Sequence, residues 1–266
     1  MTDVSDVSSL IDALRASERL LVLTGAGMGL ASGIPTFRGT DPDAVWAKDV
    51  MEMGTFAYFR GDPVGSWRWY RSRFRALEGA RPNAGHHALV SLERWQRGRG
   101  RDFLLVTQNI DTLHRLAGSE ALVEVHGRAD RLRCPTRGCA NAAPAGSLSR
   151  ASVDFTAFDA DSVEANLPTC PQCGAILRAH VLWFDEYYDG HVDYGFDRVI
   201  RGLRRADLVL FVGTSFSVGV TAAALEAPGE KWTIDLNEKG LPPGVRLVQG
   251  AQEEVLTRVV EGVGGG

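Results

Sequence analysis

RLLVLTGAGMGLASGIPTFR, residues 19–38, is the stretch on which the fold depends. Its apolar run at positions 20–23 is bounded by turn residues, which is typical of a buried parallel strand. A glycine-rich turn and a short helix are expected to follow it. Gly25, Gly27 and Gly29 have no Cβ and can adopt positive φ, so backbone N–H groups there can close on a pyrophosphate at a helix N-terminus. From these residues alone, a purely structural turn is an equally good interpretation.

The stretch does not match the fingerprint of an ordinary dehydrogenase. That fingerprint requires G-x-G-x-x-G and an acidic residue about 20 positions further on, at the end of a second strand. Here Leu30 occupies the third glycine position, and the acids at the expected distance, Asp41 and Asp43, flank Pro42 in a predicted loop. A dehydrogenase is therefore disfavoured.

Composition places the chain among globular proteins with a large core. Its 266 residues favour one large domain with an insertion, and 44% of them are hydrophobic and 23% charged, with a net charge of −4. There is no basic run, so nucleic acid is not an expected partner. The N-terminal segment is acidic and only briefly apolar, which predicts neither a secretion signal nor a membrane anchor and makes the cytoplasm the expected location. Nothing in the sequence favours a particular oligomeric state.

Before the second strand, the pattern is helical. Apolar spacing predicts an amphipathic helix over residues 4–16. Residues 40–79 are rich in aromatic residues and arginine and contain no strand-like run, so they are predicted to form a helical module with an aromatic core. Another helix is expected over residues 83–94, with His86 and His87 at its surface.

Polar side chains follow two predicted strands. The strand at 103–107 ends at Gln108, Asn109 and Asp111, and the strand at 121–125 ends at His126. Ligands of open α/β sheets collect at the carboxyl ends of strands, and histidine is suited to proton transfer near neutral pH. Asn109 or Asp111 could instead cap the next helix, although a cap needs only one such residue.

The four cysteines form two close pairs. Cys134 and Cys139 are spaced C-x4-C, and Cys170 and Cys173 are spaced C-x2-C as in a zinc knuckle. In a chain of this type, one structural Zn²⁺ is favoured over two disulfides. Four thiolate ligands leave no open coordination position, so this metal would stabilise the fold and would not catalyse.

The remaining apolar runs complete an α/β pattern. Strands are predicted at 180–184, 207–212, 231–234 and 245–248, with a last helix over 253–260, and together they indicate a doubly wound parallel sheet. Gly213, Thr214 and Ser215 form a second small-residue turn suited to a phosphate. Asp235 or Asn237, at the end of the next strand, is placed to accept ribose hydroxyls.

Taken together, these segments resemble the sirtuin family over nearly the whole chain. The matching motifs, all in the family's order and spacing, are GAGMGLASGIPTFRG (25–39), TQNIDTLHRLAG (107–118), VHG (125–127), the two cysteine pairs, VLWF (181–184) and GTS (213–215). The resemblance implies a Rossmann-like NAD-binding domain formed by residues 1–39, 80–130 and 179–266. It also implies a smaller domain made of the helical module at 40–79 and a zinc-binding module at 131–178.

The resemblance implies an NAD-dependent protein-lysine deacylase whose partner is the acylated lysine of a protein. In this chemistry the acyl-lysine amide oxygen attacks the nicotinamide ribose, nicotinamide leaves, and the general base activates the ribose hydroxyls. The products are free lysine, nicotinamide and O-acyl-ADP-ribose. The catalytic residues would be His126, as the base, with Asn109 and Asp111. The predicted NAD-binding residues are Gly25, Ala26, Gly27, Phe37, Arg38, Gln108, Asn109, Ile110, Asp111, Gly213, Thr214, Ser215, Asp235, Asn237 and Gln252.

Substrate selection is expected at the helical module and at the 181–184 segment. Val181, Trp183 and Phe184 would flank a slot in which the peptide lies as an added strand. Tyr70 and Arg73, with Thr36 and His180, make the chain similar to class III sirtuins, which prefer succinyl, malonyl or glutaryl groups. Arg73 can contact a distal carboxylate in a charge-assisted way, with the Tyr70 hydroxyl as a second donor.

One departure from the family pattern bears on that preference. Asp185 stands where a glycine is usual, and its charge beside the predicted slot is expected to reshape peptide choice or to repel an anionic acyl group. Two other functions share the NAD site: protein mono-ADP-ribosyl transfer, and general deacetylation without an acidic-acyl preference. A non-catalytic NAD-binding module is disfavoured because a module without activity does not need His126, Asn109 and Asp111.

Overall fold

The computed structural model describes residues 4–35, 50–153, 166–238 and 240–264. Phe37 and Arg38, predicted to bind the dinucleotide, and Thr36 lie outside the described residues. The strands are, in chain order, β1 (Arg19–Thr24), β2 (Asp102–Thr107), β3 (Leu122–Glu124), β4 (Gly127–Arg133), β5 (Leu148–Ser149), β6 (Arg178–Val181), β7 (Leu208–Val212), β8 (Glu230–Asp235) and β9 (Val245–Gln249). The α-helices are α1 (Val4–Ala16), α2 (Val50–Met53), α3 (Phe56–Gly61), α4 (Pro63–Arg75), α5 (Ala84–Gly98), α6 (Leu113–Ala117), α7 (Phe196–Arg205), α8 (Gly219–Leu225) and α9 (Gln252–Gly264).

Six strands form one parallel sheet in the order β3-β2-β1-β7-β8-β9. Central strand β1 is buried on both faces because its apolar residues alternate between two cores. Leu20 and Val22 face the core formed with α1, α5 and α9, whereas Leu21 and Leu23 face the core formed with α7 and α8. The predicted doubly wound α/β sheet is confirmed. Its strand order reverses between β1 and β7, so the turns that follow these two strands lie beside each other.

The predicted strand at 180–184 belongs to a different sheet. It begins earlier, as β6, and pairs antiparallel with β4 in a small sheet of order β5-β4-β6. The prediction that it continues the parallel sheet is therefore wrong. The sequence of β4, GRADRLR, is mostly charged or small, which hides the strand that recruits β6. The predicted boundary at 130/131 falls inside β4, and the division into domains remains a prediction.

The helical module and the small sheet share one core. Phe59, Trp67, Trp69, Tyr70 and Phe74 are buried in it, together with side chains from β4 and β6 and with two of the cysteines. The interpretation of these aromatic residues as core is confirmed. Because α4 and β6 contribute to the same core, the position of each depends on the other.

Helix α5 differs from its prediction at one histidine. His87 is exposed as expected, but His86 is fully buried, so its placement at the surface was wrong. Its Nδ1 accepts from the backbone N–H of Asn83, the N-cap of α5, and its ring packs against His114 at 4.7 Å. This local capping interaction turns the side chain inward.

The C-terminal helix α9 is longer than the predicted 253–260, because Val263 still packs into the core and extends the buried face. No helix among the described residues combines the length and the apolar character that crossing a membrane requires.

Candidate active site

The turns after β1 and β7 meet main chain against main chain. The N–H of Gly27 donates to the carbonyl of Gly213 at 2.9 Å, and a Cβ on Gly27 would lie 2.6 Å from Gly213 Cα. A Cβ on Gly25 would lie 2.8 Å from Gly213 O. Gly25 has φ −126°, and neither Gly27 nor Gly29 has positive φ, so the expected use of positive φ was wrong. Gly25 and Gly27 are required because a side chain at either position would push the two turns apart.

Amide side chains at the end of β2 brace these turns. Gln108 Nε2 donates to Thr214 Oγ1 at 3.0 Å and to the carbonyl of Thr24 at 3.2 Å. Asn109 Nδ2 donates to the carbonyl of Gly25 at 2.9 Å. The sequence-predicted residues of β1, β2 and β7 therefore form one contiguous surface at the sheet edge.

Asp111 also serves the helix that follows. Its Oδ1 accepts from the backbone N–H of Leu113 at 2.8 Å, so the capping role considered from the sequence is present. Burial raises the pKa of Asp111 above its ordinary value, against the lowering effect of that hydrogen bond. Ile110 beside it packs on the shared core, and its carbonyl accepts from Ala129 N–H. One oxygen of the carboxylate thus fixes α6, and the group stands half-buried at the site.

His126 is held in a single tautomer. Its Nδ1 lies 2.9 Å from the carbonyl oxygen of Gln108, and because a carbonyl only accepts, Nδ1 carries the proton. Nε2 is therefore the nitrogen that can accept a proton. Burial lowers the pKa of His126 to about 4, although the Gln108 hydrogen bond acts in the opposite direction. At neutral pH the side chain is an uncharged base, as general-base catalysis requires.

Sequence reasoning missed the partner of that base. The hydroxyl of Tyr188, in a short 3-10 helix after β6, lies 3.1 Å from His126 Nε2. The tyrosine pair 187–188, three and four residues after the VLWF segment matched to the family, is the signal that could have identified it.

The remaining predicted dinucleotide contacts lie after β7, at or after the end of β8, and at the start of α9. Asp235 ends β8, is half-buried and has its pKa raised by burial. Asn237 donates its backbone N–H to Asp235 Oδ1, and its side chain is exposed. Ser215 is also exposed and bonds to Ser217. Gln252 is buried, and its Nε2 would lie 3.2 Å from a Cβ on Gly27.

A backbone hydrogen bond joins the 181–184 segment to His126. The backbone N–H of Leu182 donates to the carbonyl of His126 at 2.8 Å. Val181 and Trp183 are buried, whereas Phe184 is 48% exposed. The Trp183 ring is covered on one side by the Arg178 guanidinium, 3.3 Å from the ring centre. Trp183 is therefore a rigid wall, and Phe184 is the side chain that reaches solvent.

Tyr70 and Arg73 stand one turn apart on α4. The Tyr70 ring stacks on Trp183 with centroids 6.0 Å apart, and burial raises the pKa of its hydroxyl. The Arg73 guanidinium lies over the Trp69 ring at 3.6 Å, and Arg73 also donates to the carbonyl of Trp69. Both side chains belong to the aromatic cluster that supports the 181–184 segment.

Asp185 has a structural task. Its two carboxylate oxygens accept the backbone N–H groups of Phe56 and Ala57 at 2.7 and 3.0 Å, at the first turn of α3. The carboxylate thus ties the end of the 181–184 segment to the helical module. Its charge is engaged by helix amides.

The four cysteines converge as predicted. Cys134 and Cys173 have their Sγ atoms 3.5 Å apart, Cys139 and Cys170 have theirs 3.7 Å apart, and all four sulfurs lie within 4.8 Å of one another. The cysteines are free thiols and not disulfides.

His180, singled out by the resemblance, lies in β6 and is fully buried. Its ring stacks on Tyr194 at 5.6 Å, and its Nε2 lies 3.1 Å from Asp193 Oδ2.

Comparison with known proteins gives one consistent result. Residues 25–220 match the model of the Sir2 family. The chain is 39% identical over 211 residues to an NAD-dependent protein deacylase of Thermus thermophilus, covering 79% of this chain and 74% of that protein. It is 34% identical over 232 residues to the NAD-dependent protein deacylase sirtuin-5, mitochondrial, of Danio rerio, covering 84% and 74%. The solved structure of a Sir2 homologue in complex with NAD superposes with a TM-score of 0.77 at 31% identity, covering 97% of this chain and 94% of that one.

Proposed function

Because this chain belongs to the Sir2 family, we propose that it is an NAD-dependent protein-lysine deacylase that accepts acidic acyl groups as well as acetyl. The observation that carries the deacylase assignment is the state of His126. This imidazole is neutral, its Nδ1–H donates to the Gln108 carbonyl, and its Nε2 accepts from the Tyr188 hydroxyl. A neutral imidazole in this position can act as a general base toward a hydroxyl group.

The residues at the sheet edge fit a dinucleotide. A Cβ at Gly25 or Gly27 would fill the space in which the two turns approach each other. Asp235 is a half-buried carboxylate suited to accept ribose hydroxyls. Asn109 and Asp111 would contact the nicotinamide ribose. NAD, as the second substrate, supplies a ribose carbon activated by its leaving nicotinamide. The chain's residues orient that ribose and hold the base.

One structural Zn²⁺ fits the cysteine cluster. Four thiolates bound to zinc at the usual distance of about 2.3 Å are separated by about 3.8 Å, and the observed pairs at 3.5 and 3.7 Å are close to that spacing. Cys134, Cys139, Cys170 and Cys173 would hold the metal. The resulting site has no open position, so the metal would fix the small sheet and take no part in the reaction.

The acidic-acyl preference rests on α4. Tyr70 and Arg73 lie on one face of this helix, and Tyr70 contacts Trp183, in the segment proposed to bind the peptide. An arginine there offers a bidentate, charge-assisted contact to a distal carboxylate. The Asp185 carboxylate is held at the first turn of α3 by the N–H groups of Phe56 and Ala57, which fixes where its charge lies.

The test is a parallel NAD-dependent assay on acetyl-lysine and succinyl-lysine forms of one peptide. We expect the wild type to release O-acyl-ADP-ribose from both and to favour succinyl. Arg73→Met should lower kcat/KM for the succinyl peptide at least tenfold, because a charge-assisted contact is worth about 1.5–3 kcal/mol, and should leave the acetyl peptide nearly unchanged.

Arg75→Met is the matched control, since Arg75 lies on the same helix and is exposed. If acetyl is favoured and Arg73→Met changes little, the acidic-acyl preference is wrong and the protein is a general deacetylase. If ADP-ribose is found attached to protein and no free O-acyl-ADP-ribose is formed, the activity is ADP-ribosyl transfer and not deacylation.

A further inference from the structure

The hydroxyl of Tyr188 is hydrogen-bonded to Nε2 of His126, the nitrogen that would accept a proton. His126 Nδ1–H donates to the Gln108 carbonyl, so the lone pair of His126 is on Nε2, and the Tyr188 hydroxyl 3.1 Å away donates to it. Nε2 has only one lone pair. A proton that reaches it must therefore pass through this phenol or displace it.

The surroundings of Tyr188 hold the phenol in place. The backbone N–H of Val220 donates to its oxygen at 3.3 Å, and its ring stacks on Phe196 with centroids 4.6 Å apart. Gly219 makes room for it, because a Cβ there would lie 3.3 Å from Tyr188 Cε2. Displacing the phenol would break two hydrogen bonds and a ring stack, whereas passing a proton through it requires no movement.

The phenol oxygen also has the capacity that a relay needs. It has two lone pairs, of which Val220 N–H occupies one, so the other can accept a hydrogen bond from a substrate hydroxyl. Burial raises the pKa of Tyr188, although the Val220 hydrogen bond lowers it, so the group stays protonated and has a hydrogen to give.

We propose that Tyr188 is a catalytic residue that relays a proton from a ribose hydroxyl of the substrate to His126. The O–H bond of the substrate breaks and its proton moves to the phenol oxygen, while the phenol proton moves to Nε2. His126 becomes an imidazolium, Tyr188 ends as a neutral phenol, and the substrate oxygen keeps the electron pair with which it attacks. This inference rests on the proposed deacylase function.

Tyr188→Phe is the decisive variant, because it keeps the ring and its stack on Phe196 and removes only the hydroxyl. We expect formation of O-acyl-ADP-ribose to fall by about tenfold or more, the lower range of general acid–base catalysis. Exchange of labelled nicotinamide into NAD should continue at the wild-type rate, since that exchange precedes the use of the base. Tyr187→Phe, at a neighbouring side chain that is 80% exposed, should change neither.

A second measurement does not depend on turnover. In ¹⁵N-histidine NMR of the ligand-free protein, removal of the Tyr188 donor should move the Nε2 resonance of His126, and Tyr187→Phe should leave it in place. An unchanged Nε2 resonance would overturn the contact on which the relay depends.

The outcomes separate this inference from the proposed function. The relay is wrong if Tyr188→Phe deacylates at the wild-type rate, or if nicotinamide exchange and deacylation fall together, which would indicate a structural role. If the wild type deacylates no peptide, the proposed function fails, and the NMR measurement still decides whether Tyr188 hydrogen-bonds to His126.

Discussion

At the scale of single residues, the site depends on a histidine kept neutral by its surroundings. Burial lowers the pKa of His126 to about 4, with the Gln108 hydrogen bond acting in the opposite direction. The active form is the unprotonated one, so activity is lost only as the pH falls through this lowered value. An exposed histidine would already lose its capacity near its ordinary pKa of about 6.5.

The pH profile of kcat/KM checks this statement. We expect it to stay level from pH 8 to about 6, with an acid limb whose midpoint lies well below the roughly 6.5 of an ordinary histidine. Samples preincubated at each pH and assayed at pH 7.5 control for unfolding. A midpoint near 6.5 would show that His126 is solvated or is not the base.

At the scale of elements, one carboxylate joins the 181–184 segment to helix α3. Asp185 accepts two backbone N–H groups there, as an N-cap residue does. Asp185→Ala should lower the free energy of unfolding by about 1 kcal/mol, the usual cost of losing a cap. Asp185→Asn, with one accepting oxygen, can keep only one of the two hydrogen bonds and should lower it by less. Denaturant unfolding measures both.

The comparison variant for Asp185 is Asp12→Ala. It removes an exposed carboxylate on α1 that lies 4.0 Å from Arg15 and is expected to have little effect. A neutral Asp185→Ala would show that the contact with α3 contributes nothing. A gain in activity on succinyl peptides would instead restore the repulsive role predicted from sequence.

At the scale of the whole molecule, the cysteine cluster supports more than its own loop. Cys134 and Cys170 are buried in the same core as Tyr70 and Trp183. We therefore expect one zinc per chain, and Cys170→Ser or prolonged chelation should abolish deacylation by loosening the peptide wall. Binding of a structural zinc contributes directly to the free energy of folding, so removing the metal should destabilise the whole of this core.

Hydrogen exchange locates the effect of metal removal. Amides of β4, β6 and α4 should lose protection, while those of β1 and β7, in the parallel sheet, should keep it. Added Zn²⁺ should reverse the change after chelation. Full activity and unchanged protection in metal-free protein would exclude a structural zinc.

Much of this could be predicted from local pattern. The run at Leu20–Leu23, the turns that follow β1 and β7, and the cysteine spacings each carry their information within a few residues. The errors have a different origin. The burial of His86 depends on a capping contact and on the distant His114, and the pairing of β6 depends on β4, whose charged sequence hides a strand. Tyr188 was missed because its partners, His126 and Val220, come from separate elements.

The contact between Gly27 and Gly213 is made by main-chain atoms, unlike the side-chain contacts around Trp183. The two turns approach through backbone atoms, and a Cβ on either glycine would lie less than 3 Å from the other turn. The wall at Tyr70, Arg73 and Trp183 is built of side chains and can be altered one residue at a time. If these side chains select the acyl group as proposed, we expect acyl preference to diverge among related chains while the backbone contact between the two turns stays the same.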